Sequence, residues 1–85
     1  HMWGMPIPSL EQVMNKIYAH LQDELGAFSE AEMTRRLFYD EKMGAQTAHT
    51  STIYKALDIL EKRGKIEKTR KKDAQGEYWV YSLKK

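Results

Sequence analysis

From Thr50 to Lys55 the chain reads Thr-Ser-Thr-Ile-Tyr-Lys, which sets three hydroxyls, a phenol and an ammonium within about two turns of a helix. Hydroxyls both donate and accept, so they hold phosphate oxygens and base edges alike and discriminate weakly. Lys62, Arg63, Lys65, Lys68, Arg70, Lys71 and Lys72 then crowd eleven positions against the single acid Glu67, a local charge of +6. Taken together, the two stretches have the chemistry of gripping a polyanion. A charge run also occurs as a solvated loop or frayed helix end, so its meaning depends on the elements that place it.

No other chemistry is set up. Without cysteine, disulfides, thiolate nucleophiles and cysteine-ligated zinc are excluded. There is no Ser, His and acid trio, glycine-rich phosphate loop or paired-carboxylate pattern, and the acids from Asp23 to Glu41 read as solvated helix faces near two N-termini. His20, assigned to the polar side of the first helix, and His49, beside the start of the third, have no partners at metal-ligand spacing. For His49 a phosphate contact and no role at all both stand. Met33 and Met43 read as packing or surface residues. We expect no catalytic residue, metal or cofactor.

Three helices and a hairpin must position these residues. Ser9-Leu10-Glu11-Gln12 has the form of a capping box, and Leu10, Val13, Met14, Ile17, Leu21 and Leu25 recur at helical spacing, with Tyr18 alongside and Gly26 as the stop. Ser29-Glu30-Ala31-Glu32 repeats the box after a short extended link at Ala27 and Phe28. Ala31, Met33, Leu37 and Phe38 supply the apolar positions of a second helix that ends between Phe38 and Met43. Ala45 to Thr52 is a turn feeding a third helix, with Thr47, Thr50 or Ser51 as its cap, Ile53, Ala56, Leu57 and Leu60 as its buried stripe and Gly64 as its close. From Ile66 the period changes to that of a strand, Asp73-Ala74-Gln75-Gly76 turns the chain, and Tyr78 to Leu83 returns it. Trp79, Tyr81 and Leu83 are expected to face the helices, and Tyr78, Val80 and Ser82 to face away.

The 85 residues, 41% of them apolar and 31% charged, suit one domain with a small core that a deep substrate pocket would consume. Charge is lopsided: through Glu41 three basic residues face seven acidic ones, whereas from Lys42 onward eleven face five. Residues 1–8 stand apart, with His1-Met2 read as a tag remnant. Trp3, Met5 and Ile7 form an arm that packs on its own domain, packs on a second subunit or stays disordered. With neither a secretion signal nor an apolar run of about 18 residues, a soluble cytoplasmic protein is expected.

The order of elements, the run Ser51-Thr52-Ile53-Tyr54-Lys55-Ala56-Leu57-Asp58-Ile59-Leu60-Glu61-Lys62-Arg63-Gly64-Lys65-Ile66 and the closing Tyr81-Ser82-Leu83 resemble the winged helix-turn-helix domains of bacterial and archaeal repressors. The resemblance covers about Ser9 to Leu83 and implies an α+β fold over 9–85, three helices followed by a two-stranded β-hairpin wing. It also implies a transcriptional regulator on double-stranded DNA, with the third helix in the major groove and the wing on the backbone. Thr50, Ser51, Thr52, Tyr54 and Lys55 would then face the groove, Tyr54 and Lys55 leading the base contacts, while Lys68, Arg70, Lys71 and Lys72 neutralise phosphates. Tyr54 has a second reading, packing against the second helix. The connection from Phe38 to Ser51 exceeds the usual tight turn, which requires an extended second helix or an inserted loop. A homodimer through the arm, Tyr18, Tyr78 and Val80 would set two third helices on successive groove turns. The rival reading is a protein-binding module of a replication or transcription assembly. An exposed apolar patch on the third helix and wing would favour it; the basic wing favours DNA, tempered by Asp58 and Glu61.

Overall fold

Two serines start two helices. Ser9 Oγ accepts from the Gln12 N–H at 3.2 Å while Gln12 Oε1 accepts from the Ser9 N–H at 2.8 Å, opening α1 (Leu10–Asp23). Ser29 and Glu32 make the same reciprocal pair at 3.1 and 3.0 Å and open α2 (Glu30–Leu37). In this computed structural model residues 7–85 are described, so Trp3, Met5 and the tag assignment lie outside the described residues.

α1 buries Val13, Met14, Ile17 and Leu21 on one stripe. It closes ahead of Gly26, because Glu24 adopts an extended conformation (φ −118°, ψ 117°), and Leu25 is thereby thrown out of helical phase to 96% exposure instead of joining the stripe. His20 is not on a polar face either. Its ring packs 4.9 Å from that of Phe28, its Nδ1 lies 3.3 Å from Glu24 Oε2, and only 10% of the side chain is exposed.

Phe28 and Ser29, expected as a bare link, form a short strand, β1 (Phe28–Ser29). α2 stops at Leu37, one residue short of the expected range, with Phe38 as its cap and fully in the core. The long connection holds a short hairpin: β2 (Tyr39–Asp40) pairs antiparallel with β3 (Ala45–Gln46). Asp40 Oδ1 accepts from the Lys42 and Met43 N–H groups at 2.9 and 3.2 Å, and Gly44 at φ +60° turns the chain back.

α3 (Thr50–Lys62) is capped by none of the three expected residues. His49 occupies the cap position without a side-chain bond, and the Thr50 hydroxyl instead accepts from Gln46 Nε2 at 2.9 Å. At the other end Gly64 at φ +73° donates to the Glu61 carbonyl and Lys65 donates to the Leu60 carbonyl, the paired bonds of a Schellman motif.

The hairpin of β4 (Ile66–Asp73) and β5 (Gly76–Leu83) is in register from Ile66↔Leu83 to Asp73↔Gly76. β1 joins β5 on its far side, with Phe28 opposite Tyr81 and Ser29 opposite Val80, so the sheet order is β1-β5-β4 and has three strands rather than two. Tyr81 joins the core at 7% exposure, whereas Val80, on the opposite face by alternation, is not part of that core yet is only 6% exposed, so it is buried where an open surface was expected. Trp79 stands on the face of Tyr81 as expected, but the hairpin outruns the helices and leaves this side chain 38% exposed. Ile17, Leu21, Met33, Phe38, Ile53 and Leu57 lie at the centre of one core shared by all three helices and the base of the sheet. The fold is α+β, three helices with a small antiparallel sheet.

Candidate nucleic-acid interface

α3 puts Ile53, Ala56, Leu57 and Leu60 into the core, so its helical period turns Thr50, Ser51, Tyr54 and Lys55 outward, with Thr52 half-buried between the two sets. Apart from Thr52, the expected groove residues are open to a ligand. They do not share one hollow. Thr50 opens on a concavity between α2 and the β2–β3 hairpin that Tyr39 and Arg35 also line. Tyr54 opens on a separate cleft of about 640 Å³ whose far wall is the wing from Gln75 to Trp79.

The register of the wing assigns its cations to two faces. Residues directly opposite in an antiparallel pair share a face, so Lys68, Arg70 and Lys72 stand with Tyr81, Trp79 and Glu77. Tyr81 is part of the core, which makes this the helix side. Lys71 stands with Tyr78 on the outer side. The Lys68 ammonium and the Arg70 guanidinium lie 4.6 and 4.5 Å from the Trp79 ring centroid, and Arg70 also meets Glu77 at 3.4 Å. Exposed contacts of this kind contribute at most about 1 kcal/mol each, so a phosphate can replace them. Lys65 points elsewhere, over Tyr18 of α1 at 5.1 Å, and Lys62 pairs with Asp58 along α3 at 3.0 Å.

Sequence reasoning missed the negative part of the site. Glu30 and Glu32, read as a solvated helix face, line the cleft between Tyr54 and the wing. Glu30 Oε2 accepts from the Thr34 hydroxyl at 2.6 Å and stands close enough to Tyr54 to matter electrically. As a hydrogen-bond acceptor for the phenol it raises the Tyr54 pKa above the ordinary 10.0; partial burial and the Glu30 charge add to the effect. Burial pushes the Tyr81 phenol up as well, with the carboxylates of Glu30, Glu61 and Asp58 adding to it. Tyr54 neighbours α2 and remains 52% exposed. The signal that places Trp79 among the cations was present in the alternation of the hairpin: any register closing on Asp73-Ala74-Gln75-Gly76 sets it opposite Arg70.

Among the described residues no group of three or more His, Cys, Asp or Glu side chains could hold a metal ion, and no helix is long and apolar enough to cross a membrane. Comparison of the sequence with models of protein families and with curated proteins finds no match.

Proposed function

We propose that this chain is a winged-helix protein that binds duplex DNA sequence-specifically as a transcriptional regulator, with α3 in the major groove and the β4–β5 hairpin on the backbone. One observation carries the reading: Tyr54 of α3 and the hairpin from Gln75 to Trp79 border the same cleft, and Lys68, Arg70 and Lys72 stand on the helix side of that hairpin. An α-helix fits the major groove, and a neighbouring cation-rich ribbon then meets the phosphates. Thr50, Ser51, Thr52, Tyr54 and Lys55 contact the groove in this reading, and Lys68, Arg70, Lys71 and Lys72 the backbone. Two copies reading adjacent half-sites remain part of the proposal, although buried Val80 no longer offers them a contact.

A salt series with random and selected duplexes tests it. With roughly five phosphates engaged, log affinity falls against log salt with a slope of about −4 to −5. A preference of at least about tenfold for a selected site supports a regulator. Salt-dependent binding without preference indicates an architectural role, and no duplex binding at about 50 mM salt overturns the reading.

A second reading, a protein-binding module, is favoured by a separate observation. Tyr54 and Trp79 are 52% and 38% exposed on a cleft that Glu30 and Glu32 also line. Such a patch resembles a protein interface more than a surface for phosphate.

A further inference from the structure

β1 holds the edge of β5 for two residues only, pairing Phe28 with Tyr81 and Ser29 with Val80 before the chain turns away into α2 at Glu30. From Gly76 to Trp79 that edge therefore has no partner strand among the described residues. Every second residue along it turns its N–H and C=O to the bare side. The cleft at Tyr54 lies along this stretch: Gln75, Gly76, Glu77, Tyr78 and Trp79 line it in unbroken succession. Side chains alternate between the two faces of a strand, so a wall built from consecutive residues is the strand's edge and not one of its faces. Ser29, Glu30, Ala31 and Glu32 form the opposite wall. The cleft is thus the seat that β1 would fill if it ran on for about four residues.

We propose that the arm from Trp3 to Pro8 of a second copy enters this seat as an extended strand, each of two chains lending its arm to the other. The arm carries no charged side chain. A charged occupant of either sign meets opposition, since Glu30 and Glu32 stand on one wall while Lys68, Arg70 and Lys72 stand on the helix side of the other. The apolar residues Trp3, Met5 and Ile7 recur at the period of a strand. Pro6 and Pro8 fall in the alternate set, so Trp3, Met5 and Ile7 can pair with β5 while both prolines, which lack an N–H, face away from it. Six extended residues reach about 20 Å, and the bare edge spans about 10 Å. Ile7 is 44% exposed and does not line the cleft of its own chain, which leaves the seat to another. Reciprocal exchange of this kind closes into a two-fold dimer. An arm so placed lies on the side where the DNA-binding reading sets the duplex. The exchanged dimer is therefore a state without DNA, distinct from two copies on adjacent half-sites, and the inference does not rest on that reading.

The test begins with the full chain in light scattering. A dimer at about 100 μM is expected, and Trp3→Ser with Ile7→Ser should return the monomer; Ile7 lies outside the core, so the fold survives its loss. A monomeric full chain, or a dimer that this variant keeps, overturns the proposal. The seat is read by amide NMR on the double variant, titrated with the synthetic peptide Trp-Gly-Met-Pro-Ile-Pro-Ser. Shifts concentrated at Ser29 and from Gly76 to Trp79 are expected, saturating below about 1 mM peptide. Shifts confined to the outer edge of β4 or to the face of Val80, or none up to that concentration, overturn it. A peptide with proline in place of Met5, which removes an N–H from the pairing set, should bind at least about tenfold more weakly; equal affinity rules out strand addition and overturns the proposal. No DNA is present in these measurements, so their failure leaves the duplex assay untouched.

Discussion

Tyr54 stands where the exposed surface of α3 meets the wall of the cleft formed by Glu30 and Glu32. Because it is 52% exposed, Tyr54→Ala should cost less than about 1 kcal/mol of stability. In the DNA-binding reading, affinity for a selected duplex should nevertheless fall about tenfold. Thermal unfolding and a binding isotherm on the same sample separate the two effects; a large stability loss with specificity intact would assign the ring to packing. Tyr81 has a different signature. Its phenol is raised above the ordinary 10.0, mainly by burial, so the folded chain holds that proton more tightly than the unfolded one. The resulting stability is fully present below the unfolded value and is lost as pH rises through the raised one. Urea midpoints should therefore stay level between about pH 8 and 9.5 and drop above, and Tyr81→Phe should flatten part of that drop. The exposure of Tyr54 was legible because its neighbours Ile53, Ala56 and Leu57 define the opposite stripe. The effect of Glu30 was not, because it requires knowing how α2 lies against α3.

Features fixed by neighbours along the chain were readable, and features fixed across it were not. Both capping boxes involve residues three apart, and both form. The turn at Asp73 to Gly76 and the Schellman close at Gly64 are equally local. By contrast, β1 is two residues long and exists only because Phe28 and Ser29 meet Tyr81 and Val80 from the far end of the sequence. The hairpin at Tyr39 to Gln46 had its glycine in view, but its strands are too short to show a period. Gly64 offers the cleanest check at this scale. A Cβ there meets nothing within 4 Å, yet φ is +73°. Gly64→Ala should therefore cost about 1–2 kcal/mol from backbone conformation alone, lowering Tm by about 4–8 °C per kcal/mol in a thermal melt, with no loss of packing.

At the scale of the whole molecule, charge polarity was plain from composition, but its arrangement was not. A +6 run suggested one basic face; the strand period divides it, with Lys68, Arg70 and Lys72 toward the helices and Lys71 outward. If the duplex lies on the helix side, Lys72→Ala should reduce the salt slope by about 1 and Lys71→Ala by much less, as read in titrations at several salt concentrations. β4 is also an outer strand of the sheet, eight residues long, with the backbone edge facing away from β5 unpaired by any strand among the described residues. Bare edges of that length invite strands of other molecules to add on. Six of its residues from Glu67 to Asp73 are charged, four of them cationic. Two such margins repel when brought side by side. The lysines are therefore guards of solubility whatever they bind, and stripping several at once should yield a protein that clumps, a result that must be screened out before any lost affinity is credited to a missing contact.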